Sequence, residues 1–349
     1  MLADAFLVLF PYKGKEELVT YCEAYSRALN GFIVSREQNY QLELRSGICC
    51  SDASDINSLL DRANMALKTI KVKGAAQWKF YDHTMRDKLL REKDLEIRME
   101  KALADGEFLV YIQPKYWVGT RALAGGEALV RWKSPDQGFL SPGEFIPLFE
   151  KNRFIVKLDQ FMFTSVCGLL RQWLDAGIEP RPLSVNVSRM QFHDFVERYI
   201  RIKSQYAIPD GLLELEFTES IFFDNVALLS SAVHELRRAG IKCSIDDFGA
   251  GYSSLNVLKA LPVSVLKLDG MFFRTAKDDE QAKIVIRNIM RMAGELKMAT
   301  VAEGVETHEQ VAFLETTGCD IIQGYVFARP MPAAEFTELL AGEGGHAER

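Results

Sequence analysis

The residues whose types and spacing could do chemistry are Glu127 in GGEALVRW, Asn186 in SVNVS, Glu216 in LELEFTES, Asp246 and Asp247 in SIDDFGAG, Lys267 and Asp269 in LKLDG, Glu303 in VAEGVE and Gln323 in IIQGY. Each sits at or near the end of a short apolar run. A single acid in that position is most often an ordinary structural residue, but so many runs ending alike are not explained that way. The set is rich in oxygen donors, and the five histidines (His83, His193, His234, His308, His346) all fall outside it. Hard, oxygen-preferring Mg2+ or Mn2+ is therefore expected over zinc. The adjacent Asp246 and Asp247 can each reach a different ion, which suits a two-metal site. Followed by Phe-Gly-Ala-Gly, the same pair also reads as turn punctuation. Lys267, flanked by Val265, Leu266 and Leu268, could orient or deprotonate a water, or simply neutralise the acids. Two chemistries stay open on these residues: metal-assisted hydrolysis, and proton abstraction beside a metal-bound carboxylate as in enolase-type barrels.

To converge, such residues need a scaffold that brings strand ends together. Beyond residue 105 apolar runs alternate with amphipathic stretches. The runs are Phe108–Gln113, Gly126–Trp132, Leu183–Val187, Leu213–Phe217, Lys242–Asp246, Val265–Leu268, Ala299–Ala302 and Ile321–Gln323. Helices are expected between most of them, over Leu158–Ala176, Val226–Ala239 and Glu280–Lys297. Eight βα units predict an α/β fold, a (β/α)8 TIM-like barrel, with the polar residues gathered at one mouth. Upstream the reading is a strand (Ala5–Phe10), a helix (Lys15–Asn30), two strands (Gly31–Ser35, Gln41–Cys50), a helix (Ile56–Lys71) and a strand (Gln77–Tyr81). A charged helix over 85–105 links this α+β segment, 1–84, to the barrel, 95–340, and 341–349 is expected as a flexible tail.

With 349 residues, a prior of roughly two domains follows from length. Against 48 Asp and Glu stand 42 Lys and Arg, so the net charge of -6 supplies no basic excess for a long nucleic acid. The six cysteines form no CxxC pair, which suits reduced thiols and a cytoplasmic setting. No apolar run approaches the ~20 residues of a membrane-spanning helix, and the N-terminus has no basic n-region of a secretion signal.

From about Leu95 to Phe336 the sequence resembles the EAL-domain family, the cyclic di-GMP phosphodiesterases. The matching blocks are Gln113-Pro114, EALVR at Glu127–Arg131, Asn186, EFTE at Glu216–Glu219, DDFGAGYSSL at Asp246–Leu255, LPVSVLKLD at Leu261–Asp269, AEGVET at Ala302–Thr307, and QGY with a following RPMP over Gln323–Pro332. The resemblance implies Glu127, Asn186, Glu216 and Asp246 as ligands of a first metal, with Asp246 shared and Asp247 on a second. It implies Glu303 as a second-metal ligand or general base and Lys267 as the holder of the attacking water. Gln113, Arg131, Asp269 and Gln323 would contact substrate. Glu219 would pin the loop Asp247–Ser254, whose Gly249 and Gly251 let it move, and Glu306 would stand behind the site. Also implied are Mg2+ or Mn2+ as cofactor, inhibition by Ca2+, a homodimer through the barrel, and hydrolysis of cyclic di-GMP to the linear 5'-pGpG. The alternative is a silent receptor that binds the dinucleotide; such receptors have lost ligands, and this sequence keeps them. Gly270 and Lys115 depart from the family pattern, in places that bear on substrate affinity and not on the metal set.

The first 82 residues resemble the back half of a GGDEF domain: LADAF at Leu2–Phe6 stands at the signature, SGICC at Ser46–Cys50 at a core strand and RANMALKTIKVKG at Arg62–Gly74 at a helix. Leu2 and Ala3 replace the signature glycines and Ala5 replaces an acid. No cyclase activity is expected, and the resemblance implies a longer protein with a sensory part upstream.

Overall fold

The computed structural model describes residues 6–34, 44–50, 55–70, 77–188, 195–219, 226–249, 258, 262–275 and 279–344. The chain divides into two compact units, Met1–Ile97 and Arg98–Arg349.

In the first unit, α1 (Lys15–Val34) is followed by β1 (Ser46–Ile48), α2 (Ile56–Lys68) and β2 (Trp78–Phe80), and α3 (His83–Ala104) runs across the division between the units. β1 and β2 pair in parallel as a two-stranded sheet. The α2 start is set by Asp55, whose carboxylate accepts from the Asn57 and Ser58 amides, an N-cap that satisfies otherwise orphaned donors. Two expected strands do not form. Gly31–Val34 continues α1, because extending a helix already nucleated over four turns costs little even through β-branched residues. Phe6–Phe10 is irregular and pairs with nothing among the described residues, so its run is an apolar stretch without a ladder. Residues 1–5 and 71–76, which carry part of the GGDEF resemblance, and 41–43, the start of the expected strand Gln41–Cys50, lie outside the described residues.

The second unit is a closed barrel. Its strands are β3 (Phe108–Trp117), β4 (Leu123–Ser134), β6 (Leu183–Asn186), β7 (Leu213–Thr218), β8 (Lys242–Phe248), β9 (Val265–Leu268), β10 (Ala299–Ala302) and β11 (Ile321–Ile322). All neighbours from β4 round to β11 are parallel, but β3 is antiparallel to both β4 and β11, which closes the ring. The first expected βα unit is therefore a hairpin: the connection Val118–Ala122 is too short for a crossover helix, so β3 must reverse. Short strands β5 (Gly138–Leu140) and β12 (Met331–Pro332) extend the sheet from β4 and β3.

Helices α4 (Pro142–Lys151), α5 (Ile155–Asp175), α6 (Phe195–Gln205), α7 (Val226–Arg238), α8 (Met271–Thr275), α9 (Glu280–Glu295), α10 (His308–Glu315) and α11 (Ala333–Gly344) complete the unit. The last helix carries the fold through Gly344, into the expected tail. Helical spacing buries one stripe of each long helix: Leu158, Met162, Val166, Leu170 and Trp173 on α5, Ile286, Met290 and Ala293 on α9. Outward residues of the strands, such as Leu213, Leu215 and Phe217, meet those stripes and form the core. Because strand side chains alternate, the barrel interior receives the other set, including Ser184, Glu214, Glu216, Ser244 and Lys267. Fully apolar packing is thus confined to the shell between strands and helices, and the barrel axis is largely polar.

Candidate active site

Lys267 lies at the centre of the barrel mouth and is fully buried. Its Nζ donates to Glu216 Oε2 at 2.5 Å and stands 2.6 Å from Glu303 Oε1, 3.0 Å from Asp246 Oδ1 and 3.7 Å from Glu127 Oε2. Strand register explains the convergence: Glu216 ends level with Asn186 on β6 and Ser244 on β8, while Glu303 follows β10 beside Lys267 of β9. Burial disfavours the ammonium, but Asp246, Glu127, Glu216 and Glu303 outweigh it and push Lys267 well above the usual lysine range. The surrounding carboxylates thus favour the ammonium form of Lys267.

Glu127 is held on both oxygens by amides: Asn186 Nδ2 donates to Oε1 at 2.8 Å and Gln323 Nε2 to Oε2 at 2.6 Å. Gln323 also donates to Gln113 Oε1 at 3.1 Å, and Gln113 donates to the Ala328 carbonyl. Both glutamines are buried, and in this arrangement they brace Glu127. Burial, with Glu216 adding to it, raises the Glu127 carboxyl above its ordinary range. Glu216 goes the other way: burial would raise it, yet Lys115 and Lys267 hold it down at about 2.

Neighbouring residues of a regular strand point to opposite faces, so Asp246 and Asp247 should diverge. They do not, because the β8–β9 register shifts between Ile245 and Phe248 and Asp247 takes a left-handed φ of 54°. Such a bulge re-aims side chains at the cost of local strain. Its result is that carboxylate oxygens of Asp246, Asp247 and Glu303 come within 4.8 Å of one another. Burial, then Asp246 and Asp269, push Asp247 up to about 6. Glu303 is likewise pushed well above its usual range, chiefly by burial.

The cluster fits divalent metal. Five carboxylates (Glu127, Glu216, Asp246, Asp247, Glu303) face two ammonium groups, Lys115 and Lys267. Asp246 Oδ1 and Glu303 Oε1, buried and close to Lys267, accept no directed hydrogen bond, and Gln323 Oε1 is also buried without one. Hard carboxylate oxygens held by charge alone, with no directed donor, suit Mg2+ or Mn2+. Among the described histidines, His83, His234 and His308 lie on helices, so no imidazole joins the set.

The remaining expected residues sit further out. Arg131 is partly buried over the Tyr111 ring, 5.5 Å from its centroid. Asp269 accepts from the Met271 amide at 2.6 Å and opens α8. Glu219 Oε2 accepts from the Gly249 amide at 3.2 Å. Gly249 itself has a φ of 94°, and a Cβ there would lie 2.0 Å from the Phe272 ring. The glycine is thus required by close packing, whatever freedom it gives the loop; Gly251, Ser253 and Ser254 lie outside the described residues. Glu306 is exposed and enters the site by no contact seen here, its amide donating to Gln310 in the cap of α10.

The sequence ties Lys115 to substrate affinity and leaves it out of the metal set, whereas the structure sets it against Glu216. Its Nζ donates to Glu216 Oε1 at 2.9 Å and to Ser184 Oγ at 2.7 Å, inside the barrel. The expected strand stopped at Gln113, whereas β3 continues to Trp117. Alternation from Gln113 would have put Lys115 on the same inner face.

Known proteins resemble this unit in sequence and fold. The EAL domain family profile matches residues 97–330. The chain is 34% identical over 292 residues to cyclic di-GMP phosphodiesterase NbdA of Pseudomonas aeruginosa, covering 83% of this chain and 37% of that protein. It is 32% identical over 287 residues to cyclic di-GMP phosphodiesterase PdeR of Escherichia coli, covering 81% and 43% respectively. It thus spans less than half the length of either. Among solved structures, the PaMucR phosphodiesterase in complex with c-di-GMP superposes with a TM-score of 0.66 at 35% identity, covering 70% of this chain and 99% of that one. Sequence, barrel and site geometry together make this chain a member of the EAL-domain family.

Proposed function

We propose that the barrel is a phosphodiesterase that hydrolyses one phosphodiester bond of cyclic di-GMP, giving the linear 5'-pGpG. The observation that carries this reading is the ring of carboxylates around Lys267, with buried oxygens of Asp246 and Glu303 left without directed hydrogen bonds. Glu127, Asn186, Glu216 and Asp246 would hold a first Mg2+ or Mn2+, and Asp246, Asp247 and Glu303 a second. Such ions, when bound, would polarise phosphoryl oxygens and lower the pKa of a bound water. Lys267 orients the attacking water, Glu303 either completes the second metal's ligands or accepts the water's proton, and Arg131 and Asp269 position the substrate from the rim. Water oxygen bonds to phosphorus as the bond to the 3'-oxygen breaks, leaving a 5'-phosphate and a 3'-hydroxyl.

Mixing the purified chain with cyclic di-GMP and Mg2+ or Mn2+ tests this directly. Linear product is expected. Binding without product would make the barrel a receptor and overturn the enzyme reading. Ca2+, with its looser and higher coordination, is expected to bind and inhibit.

The same reading takes residues 1–84 as the back half of a degenerate GGDEF domain, supported by the motif positions and by the parallel β1–β2 pair flanked by α2. No cyclic product should form from GTP; its appearance would refute this. It also takes the barrel as a homodimer in the cytoplasm, so turnover per chain should rise with protein concentration alongside a doubling of mass in sedimentation. No described helix is long and apolar enough to cross a membrane.

A further inference from the structure

Glu216 has its two carboxylate oxygens divided between two lysines, and its side chain has no exposed surface. Oε2 faces Lys267 and the other acids of the mouth. Oε1 faces Lys115, which reaches it from the antiparallel strand β3. On that strand Lys115 lies two residues past Gln113, level with Gly125, whereas Gln113 is level with Glu127. Lys115 thus approaches Glu216 from deeper in the barrel than the mouth residues do. Its position is fixed from a second side by Ser184, whose hydroxyl in turn lies 3.4 Å from the Gly126 carbonyl.

We propose that Lys115 is a positioning residue for the metal centre: by occupying Glu216 Oε1 from below, it leaves Oε2 as the one oxygen turned to the mouth. This rests on the metal-dependent reading given above. Lys115 also neutralises the buried Glu216, but stability alone does not call for such a pair at that depth. Taking both charges out of water is costly, and apolar replacements of buried ion pairs are often neutral or stabilising. Losing a partner that orients a metal-ligating carboxylate typically costs about 10–100-fold in metal affinity.

The test is direct Mn2+ binding to the metal-free protein by calorimetry, for the wild type, K115M, E216Q and the double variant. K115M should weaken Mn2+ binding by about 10–100-fold, and excess Mn2+ should restore kcat with the KM for cyclic di-GMP unchanged. On the E216Q background K115M should add nothing, because Lys115 acts through that carboxylate. S184A, which removes only the second support of Lys115, should weaken Mn2+ binding in the same direction by a smaller factor and serves if K115M fails to fold. Unchanged affinity in K115M, or tighter binding through relief of charge repulsion, would overturn the proposal. So would an equal loss on the E216Q background. If the wild type itself takes up no Mn2+, the metal reading falls and the role of Lys115 with it; if the wild type binds and K115M binds equally, only Lys115 is wrong.

Discussion

Two apolar runs of similar character meet opposite fates in this chain. VLKL of β9 is buried at every residue, while FLVL at Phe6–Leu9 is 58–87% exposed. Composition does not separate them; neighbours do. β9 has a ladder partner on each side, and its Leu266 and Leu268 join the core. In Met1–Ile97, by contrast, the described strands are only β1 and β2, and they pair with each other. A two-stranded sheet is marginal by itself, whereas a closed ring has no edge left to satisfy. The same contrast decides where chemistry can be built. A buried lysine among acids is tolerable only inside a scaffold that fixes every partner, and the barrel unit supplies that.

If the barrel is where function resides, the largest effect comes from its mouth. Glu127→Ala removes a carboxylate braced by Asn186 and Gln323, and turnover should fall on the order of 10^3-fold or more. The unfolding midpoint should move little, since a mouth acid adds little to the core. Leu7→Ser in the upstream unit should leave both unchanged. Undiminished hydrolysis by Glu127→Ala would break the comparison at its strongest point.

Thiol chemistry separates the units next. Cys167 and Cys319 are buried in the barrel unit, and burial pushes each thiol up to about 12. Against an ordinary value near 8.5, the reactive thiolate at pH 8 is scarcer by about 10^3-fold. Brief native-state alkylation followed by mass spectrometry should mark the half-buried Cys22, Cys49 and Cys50 and spare Cys167, Cys243 and Cys319 until the protein is unfolded. Equal labelling in both units would show a barrel far more open than its packing implies.

Packing itself gives a third contrast. Leu170, with no exposed surface on α5, should cost about 2–5 kcal/mol on truncation to Ala. Leu7→Ala, at 66% exposure, should stay within about 0.5 kcal/mol in the same chemical denaturation.

How much of this could be read beforehand follows from what sequence encodes locally. Barrel strands such as Val265–Leu268 and Ala299–Ala302 are legible to the residue, because short, nearly continuous apolar runs between amphipathic helices suit strands buried on both faces of a parallel sheet. The residues that meet at Lys267 were legible as strand-end acids and amides. The reversal of β3 was not, since strand direction depends on the length of a connection and on which edge remains open. The place of Lys115 against Glu216 was hidden for that reason: its depth makes sense only once β3 runs on past Gln113. The joint aim of Asp246 and Asp247 was hidden too, as it depends on a register shift and a left-handed residue that no spacing announces. Upstream, Gly31–Val34 reads as a strand by composition, and helix propagation from α1 overrides it.

The smallest predicted effect concerns the approach of Asp247 to the site. Glu219 is buried at the end of β7, and its Oε2 takes the Gly249 amide, two residues past Asp247. Gly249 is already constrained by its φ and by Phe272, so the hydrogen bond finishes a geometry that packing has begun. At 3.2 Å from a carboxylate, this contact is worth about 1–2 kcal/mol, or about tenfold. Glu219→Ala should therefore shift the metal concentration for half-maximal turnover upward about tenfold and leave the plateau kcat nearly intact, because no ligand of the first ion is lost. Glu219→Gln, which keeps an acceptor oxygen, should recover most of that shift. An acid serving only the local backbone would instead cost a little stability and leave the metal curve where it was. That unchanged curve would withdraw Glu219 from the site, leaving the bulge alone to aim Asp247.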